Sequence, residues 1–252
     1  MSGLLLRLSG PLQSWGEHST FDRRDTLSHP TRSGLIGLFA AAQGRPRSAA
    51  LDDMRALELT VRVDRRGRPL SDFHTVGGGL PRARTVPTAE GKRRPEGGTT
   101  LVSRRHYLAD ACFTVAVAGP DDLIAELTSA VRAPVWAPYL GRRSCPPDAP
   151  FLLADEVADP AGELERIPLN RMPPRSEDSV TVDFLYERQP ADAEQAKRGE
   201  VADVPYSFAP DNREYRTRPV FTVSRMLPAL LCAGRGEGYV KALATYLGRE
   251  TR

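Results

Sequence analysis

The sequence predicts an α+β fold, and three observations carry that prediction. Through the first 154 residues, segments with apolar residues at every second position alternate with segments of helical pattern. A stretch of about 25 residues rich in Pro, Gly, Arg and Thr interrupts this order midway, too long for an ordinary connection in a compact domain. Beyond residue 155, Pro-rich joints separate strand-like runs at 180–186 and 220–223.

Leu4, Leu6 and Leu8 predict a first strand, ended by Gly10-Pro11. The loop that follows carries Gln13, Ser14 and Trp15, side chains able to hydrogen-bond or stack. The clearest helix lies in the run 29–44. Thr31 or Ser33 can cap it and Gly44 can terminate it. It is apolar nearly all round, which predicts burial. Gly34 and Gly37 each cost about 1 kcal/mol against alanine in a helix interior, so close packing or a ligand is expected to require them. The first turn offers free N–H groups and positive dipole beside Arg32 and Ser33, a natural phosphate seat.

Leu57, Leu59, Val61 and Val63 alternate with Glu58, Thr60 and Arg62, predicting a half-buried strand. Asp64-Arg65-Arg66-Gly67 reads as a turn, and 70–76, with Asp72, Phe73 and His74, as the return strand. Gly77-Gly78-Gly79 then opens the long interruption, read as a protruding basic finger that orders on a partner. Ala111, Phe113, Val115 and Val117 set a buried strand. Pro120-Asp121-Asp122 starts a second helix, with Leu123, Ile124, Leu127 and Val131 along one face. A loop, Gly141-Arg142-Arg143-Ser144, is stopped by Pro146-Pro147, and a short strand follows at 151–153. The order β-α-β-β-(finger)-β-α-(loop)-β is that of the split βαβ, ferredoxin-like plan, RRM-like in outline, with an insertion in its middle. The expected division is a ferredoxin-like domain over 1–154, with an inserted β-hairpin thumb at about 77–105, and a smaller β-rich section over 155–252 packed on it.

At 252 residues, with 40% hydrophobic and 27% charged residues, the chain is long enough to bury a core and reads as soluble and globular. It lacks a run of about 18 apolar residues, so no membrane partner is expected. The first residues lack the charged start and long apolar centre of a signal peptide, and Cys112, Cys145 and Cys232 are odd in number and far apart. Both point to a cytoplasmic setting without a zinc site. Between residues 82 and 105 there are seven bases and two acids; between 183 and 214 there are eight acids and four bases. A basic and an acidic block on one chain suggest a polyanion on one side and different neighbours on the other.

Catalytic constellations are missing. There is no Gly-Lys-Ser/Thr phosphate loop, no G-x-S-x-G and no His–carboxylate spacing for a metal, so neither cofactor nor metal is expected. His106, beside Arg104, Arg105 and Tyr107, and His74 leave a metal-independent endoribonuclease as the alternative: histidine as general base, arginine for the developing charge. Single-strand RNA or DNA binding has the wider support. Arg32, Lys92, Arg93, Arg104, Arg105, Arg142 and Arg143 offer phosphate contacts, and Trp15, Phe21, Tyr107 and Tyr139 offer stacking faces. The Gly-Arg-Arg-Ser loop suits this role because a guanidinium fork pairs with two phosphate oxygens, although a plain solvated basic loop has the same composition. The RNP aromatic octet of an ordinary RRM is absent.

Five segments, in order, are similar to one family: Gly10-Pro11-Leu12-Gln13-Ser14-Trp15-Gly16, Pro30-Thr31-Arg32-Ser33-Gly34-Leu35-Ile36-Gly37, Asp72-Phe73-His74-Thr75-Val76, the run from Tyr107 to Phe113, and the run from Tyr139 to Pro147. They resemble the CasD family, a subunit of the type I-E CRISPR surveillance complex Cascade within the RAMP superfamily. The resemblance covers roughly 3–155 and is loose in the acidic C-terminal part. It implies a non-catalytic RNA-binding subunit that caps the 5′ handle of CRISPR RNA (crRNA) and supports assembly for antiviral defence. The implied neighbours are the CasC backbone subunit and the large CasA subunit, with target DNA close by. The implied RNA-binding set is Gln13, Ser14, Trp15, Arg32, Ser33, His74, Lys92, Arg93, Arg104, Arg105, Tyr107, Arg142 and Arg143.

Overall fold

The computed structural model describes residues 2–17, 22–79, 81–88, 91–94, 100–209 and 212–250. It is a mixed α/β architecture dominated by sheet. Strand β1 (Ser2–Ser9) is followed by the two-residue strands β2 (Leu12–Gln13) and β3 (Arg23–Arg24), then helix α1 (Arg32–Ala42). Next come β4 (Glu58–Arg65), β5 (Arg68–Val76), β6 (Leu101–Ala109), β7 (Cys112–Gly119), α2 (Asp121–Arg132) and β8 (Leu152–Val157). A short α3 (Pro160–Glu163), β9 (Ser179–Tyr186), the long β10 (Lys197–Phe208) and β11 (Arg213–Pro228), and α4 (Gly236–Glu250) complete the chain.

A seven-stranded antiparallel sheet runs β10-β11-β9-β4-β7-β1-β8. Within it β1 and β7 pair without a break from Ser2↔Gly119 to Ser9↔Cys112. Leu4, Leu6 and Leu8 of β1 and Phe113, Val115 and Val117 of β7 meet the apolar residues of α1 and α2 on one face. Leu5 and Ala116 meet Leu164, Ile167, Tyr239 and Leu243 on the other, so helices cover both faces. That second layer explains why β4 is not half-buried. Arg62, which alternation placed toward water, and Asp64, read as the start of a turn, are fully buried and ion-paired at 2.7 Å. Arg62 also donates to the carbonyls of Leu164, Ile167 and Pro168, satisfying the guanidinium where water cannot reach.

Three expectations change here. First, β5 does not return beside β4. It pairs with β6 from Arg68↔Ala109 to Val76↔Leu101, and β4 lies between β7 and β9 instead. Gly67, at φ +73°, turns the chain sharply out of the main sheet. Second, the paired legs of this hairpin begin before 77 and end after 105; the segment joining them contains a 3₁₀ turn, Arg82–Arg84. Third, the boundary drawn after residue 154 falls inside β8, and β9, β10 and β11 extend the main sheet rather than forming a layer beside it. The helix α4 and the strand β10 were not read from the sequence.

Helix α1 starts as expected: Thr31 Oγ1 accepts from Gly34 N–H at 3.2 Å. Gly44, at φ +73°, follows the last turn. Gly34 is required by packing, since a Cβ there would lie 2.8 Å from the Trp15 ring. Gly37 is not: its nearest neighbour would be the Phe208 ring at 3.7 Å, ordinary contact.

Candidate nucleic-acid interface

A second, four-stranded sheet is built around β6. Strand β5 lies on one edge, while β2 and the parallel β3 lie on the other. The register sets Arg23 opposite Arg104 and Arg24 opposite Arg105. Like charges opposite one another are destabilising in a sheet, so this ladder is costly without a counter-charge. Among the described residues none of these four arginines is ion-paired; Asp72, opposite Arg105 in register, has its carboxylate 3.4 Å from His74 Nδ1.

The Gly-Arg-Arg-Ser loop docks on the same sheet. Its ends are pinned by the buried Leu140 and Cys145, joined by Leu140 N–H to Cys145 O at 2.7 Å. Ser14 N–H donates to Leu140 O at 3.1 Å, fixing the loop to the chain after β2. Gly141 has φ +82°, and a Cβ there would sit 1.7 Å from the Ser14 carbonyl oxygen. The loop therefore throws Arg142 over Tyr107 of β6, its guanidinium carbon 4.6 Å from the ring centroid. Arg142 Nη2 donates to Arg24 O at 3.1 Å, and its Nη1 is buried with no hydrogen-bond partner. A buried guanidinium N–H without an acceptor is expensive, and an incoming anionic oxygen would satisfy it. Arg143 is exposed beside it. Three Arg-Arg doublets thus belong to this sheet and its loop: in Arg23-Arg24 and Arg104-Arg105 the second arginine lies on the Tyr107 face with Arg142 and the first on the opposite face.

Several residues expected to meet RNA do not present their side chains for it. Gln13 is fully buried; its Nε2 donates to Leu8 O and Ala111 O, and its Oε1 accepts from Trp15 Nε1. Ser14 Oγ donates to His106 O, and Trp15 packs on Gly34 inside the core. These three hold the loop's floor. The phosphate seat at α1 is filled from within: Arg32 N–H donates to Asp203 Oδ2 at 2.6 Å. The Arg32 side chain is buried against Glu187 at 2.7 Å and donates to Leu57 O and Met54 O. Arg218 closes the cluster on Asp203 and Glu187. The acidic block supplies the anions here, and Ser33 Oγ turns to Thr31. His74 contacts Asp72, and Arg93 donates to Thr85 O at 2.7 Å. Lys92 is exposed in the segment between the hairpin legs, and no contact brings it to the loop among the described residues. Phe21 lies outside the described residues. Sequence reasoning missed Arg23, Arg24 and the exposed Phe73; the recurring Arg-Arg doublet was the signal available for the first two.

His29, next to this cluster, has its pKa pushed below the ordinary value by burial, against the opposing pull of Asp203 and Glu17. The folded state therefore holds it neutral while the unfolded chain takes up a proton below about pH 6.5. Stability is expected to fall as pH drops through that point, and His29→Gln to flatten the acid side of a plot of melting temperature against pH. Burial likewise pushes the Cys112 thiol up to about 12, so it is inert. Among the described residues no group of three or more His, Cys, Asp or Glu could hold a metal, and no helix is long and apolar enough to cross a membrane.

The Cas_Cas5d family model, described as CRISPR-associated protein (Cas_Cas5), matches residues 3–221. The chain belongs to the Cas_Cas5 family. Every residue of the ladder and loop lies within the matched span of this Cas_Cas5 chain. The "CRISPR system Cascade subunit CasD" of Escherichia coli (strain K12) is 38% identical over 178 residues, covering 65% of this chain and 75% of the relative. A chain of a solved "CRISPR RNA-guided surveillance complex" superposes with TM-score 0.87 at 50% identity, over 98% of this Cas_Cas5 chain and 99% of the other. A "Crystal structure of Cas protein" superposes with TM-score 0.62 at 31% identity, over 93% and 98%.

Proposed function

We propose that this chain is a non-catalytic, RNA-binding subunit of a type I-E CRISPR surveillance complex of the Cascade kind, holding the 5′ handle of the crRNA. The observation that carries this is the arginine ladder, Arg23/Arg104 on one face and Arg24/Arg105 on the other, without an ion pair among the described residues, with Arg142 leaning over Tyr107 on the Arg105 face. A phosphate backbone is the counter-charge such a ladder lacks. The likeness to CasD and to the surveillance-complex chain supports the same reading. The strands β4-β7-β1-β8 and the helices α1 and α2 form the ferredoxin-like body of a RAMP protein, and the β5–β6 hairpin forms its thumb. In this reading the chain beyond β8 is a C-terminal section that adds strands to that body, and the CasC backbone, the CasA subunit and target DNA are neighbours in the cytoplasm.

Catalysis by the two candidate histidines is disfavoured by their placement. His74 is in register with Ser103, and His106, three residues on along β6, points to the opposite face. Either histidine would therefore have to act without the other, and the likeness to CasD and to the surveillance-complex chain supports the non-catalytic reading. The test is binding of purified full-length chain to repeat-derived single-stranded RNA over a range of salt. Changing Arg23, Arg24, Arg104 and Arg105 together to alanine is expected to lower the salt slope by about 3, at roughly 0.7 per phosphate contact. An unchanged slope, or specific RNA cleavage in EDTA that His106→Ala abolishes, would overturn the proposal.

A further inference from the structure

The open face of the second sheet carries a feature that the phosphate contacts leave unused. Phe73 is 65% exposed, the only phenylalanine among the described residues so placed. Its register partner on β6 is Arg104, and Arg104 is in turn opposite Arg23 on β3. Paired residues project to the same side, so Phe73, Arg104 and Arg23 form one row across three strands. Val102, 46% exposed, stands diagonally beside Phe73, opposite Thr75. Neither β5 nor β6 places a carboxylate on this face, because Asp72 is on the other one.

An occupant must therefore offer negative charge at the arginine end of the row and a flat apolar surface at the phenylalanine end, about one strand spacing, 4.8 Å, per step. A peptide with acidic side chains meets the first demand but has no reason to supply a planar face in step with it. A single-stranded nucleic acid supplies both from each nucleotide: a phosphate and a base whose π-face stacks on aromatic side chains irrespective of sequence. We propose that Phe73 is the base-stacking platform of this protein, holding one unpaired base while Arg104 and Arg23 hold the neighbouring phosphates. The proposal rests on the RNA-binding reading and assigns to it a residue that the arginine ladder alone does not involve. It also assigns the two faces of the sheet different tasks. The Arg142 side holds backbone against Tyr107, which is already covered, and the Phe73 side holds a base together with its neighbouring phosphates.

The test compares two probes on the full-length chain: an oligo(A) RNA of about 12 nucleotides, within the usual span of a single-strand site, and an abasic strand of the same length. Wild type is expected to bind oligo(A) about tenfold more tightly than the abasic strand. Phe73→Ala is expected to lose about tenfold on oligo(A), with the salt slope unchanged, and to bind the abasic strand as wild type does; Phe73→Trp is expected to restore the preference. Because Phe73 is exposed, melting temperatures of the variants should match wild type and exclude a folding effect. Equal oligo(A) affinity in wild type and Phe73→Ala overturns the inference, as does equal loss on both strands. So does a Phe73→Ala variant that keeps its RNA affinity but no longer captures another subunit of the complex, which would make the face a protein contact. A wild type that binds both strands without preferring bases sinks this inference alone, whereas a wild type that binds neither sinks the RNA-binding reading as well.

Discussion

Gly141→Ala is expected to disable the arginine loop and to destabilise the whole chain. Two costs add. An alanine at φ +82° pays about 1–2 kcal/mol for the left-handed backbone. Its Cβ, 1.7 Å from the Ser14 carbonyl oxygen, cannot be accommodated without moving backbone. Neither side can yield cheaply, because Ser14 N–H is bonded to Leu140 O and Leu140 and Cys145 are both buried anchors. A total of about 3–5 kcal/mol is in keeping with strain at a special backbone position. Any relaxation also carries Arg142 away from Tyr107, so RNA affinity should fall at least about tenfold even at temperatures where the variant is folded, as a guanidinium over a ring and its phosphate contact are worth more than 1.4 kcal/mol together. Thermal melting and RNA binding on the same preparation check both. Gly37→Ala is the control: with only a ring at 3.7 Å to meet, it should stabilise by about 0.5–1 kcal/mol. Wild-type stability in Gly141→Ala would show that the loop is not held as described.

Arg32→Ala is expected to cost about 3–5 kcal/mol, the loss typical when one partner of a buried ion pair is removed. The substitution leaves Glu187 with the Leu59 N–H and the longer contact to Arg218, removes a donor from the Met54 carbonyl and takes the guanidinium from the Leu57 carbonyl. For a chain of this size each kcal/mol lowers the melting temperature by about 2–4 °C, so a fall of roughly 10 °C is expected. Arg32→Lys should recover little, since one ammonium cannot reach a carboxylate and two diverging carbonyls at once. The salt slope of RNA binding, measured below the variant's melting temperature, should be unchanged. A slope reduced by about 0.7 with stability intact would restore Arg32 as a phosphate ligand.

Arg32 illustrates what kept part of the site out of reach of sequence reasoning. A helix start with free N–H groups beside an arginine is chemically a phosphate seat, and nothing nearby in sequence says otherwise. Its anions come from more than 150 residues away: Asp203 on β10, which the C-terminal pattern does not reveal, and Glu187 just beyond β9. Gln13, Ser14 and Trp15 were misplaced for the related reason that a polar side chain in a loop can turn inward once a strand end and a second sheet supply its partners. The shape of the Gly-Arg-Arg-Ser loop is legible because its device is local: a positive φ that only glycine permits, two arginines, and prolines behind.

The sequence by itself determined the main-sheet elements from β1 to β8, since each declares itself through a period of 2 or 3.6 that depends only on its own residues. It also determined the basic character of the site and the lack of catalytic spacing. Only the tertiary structure decided which strands are neighbours. It took β5 away from β4 and gave it to β6, and it brought β3 alongside β6. It continued the main sheet through β9, β10 and β11. Pairing across long sequence separations is selected by the burial of both sheet faces and by register, quantities that no local window contains. The arginine ladder is the product of that selection: two ordinary Arg-Arg doublets, about 80 residues apart in the chain, become a candidate interface only when a parallel register sets them side by side.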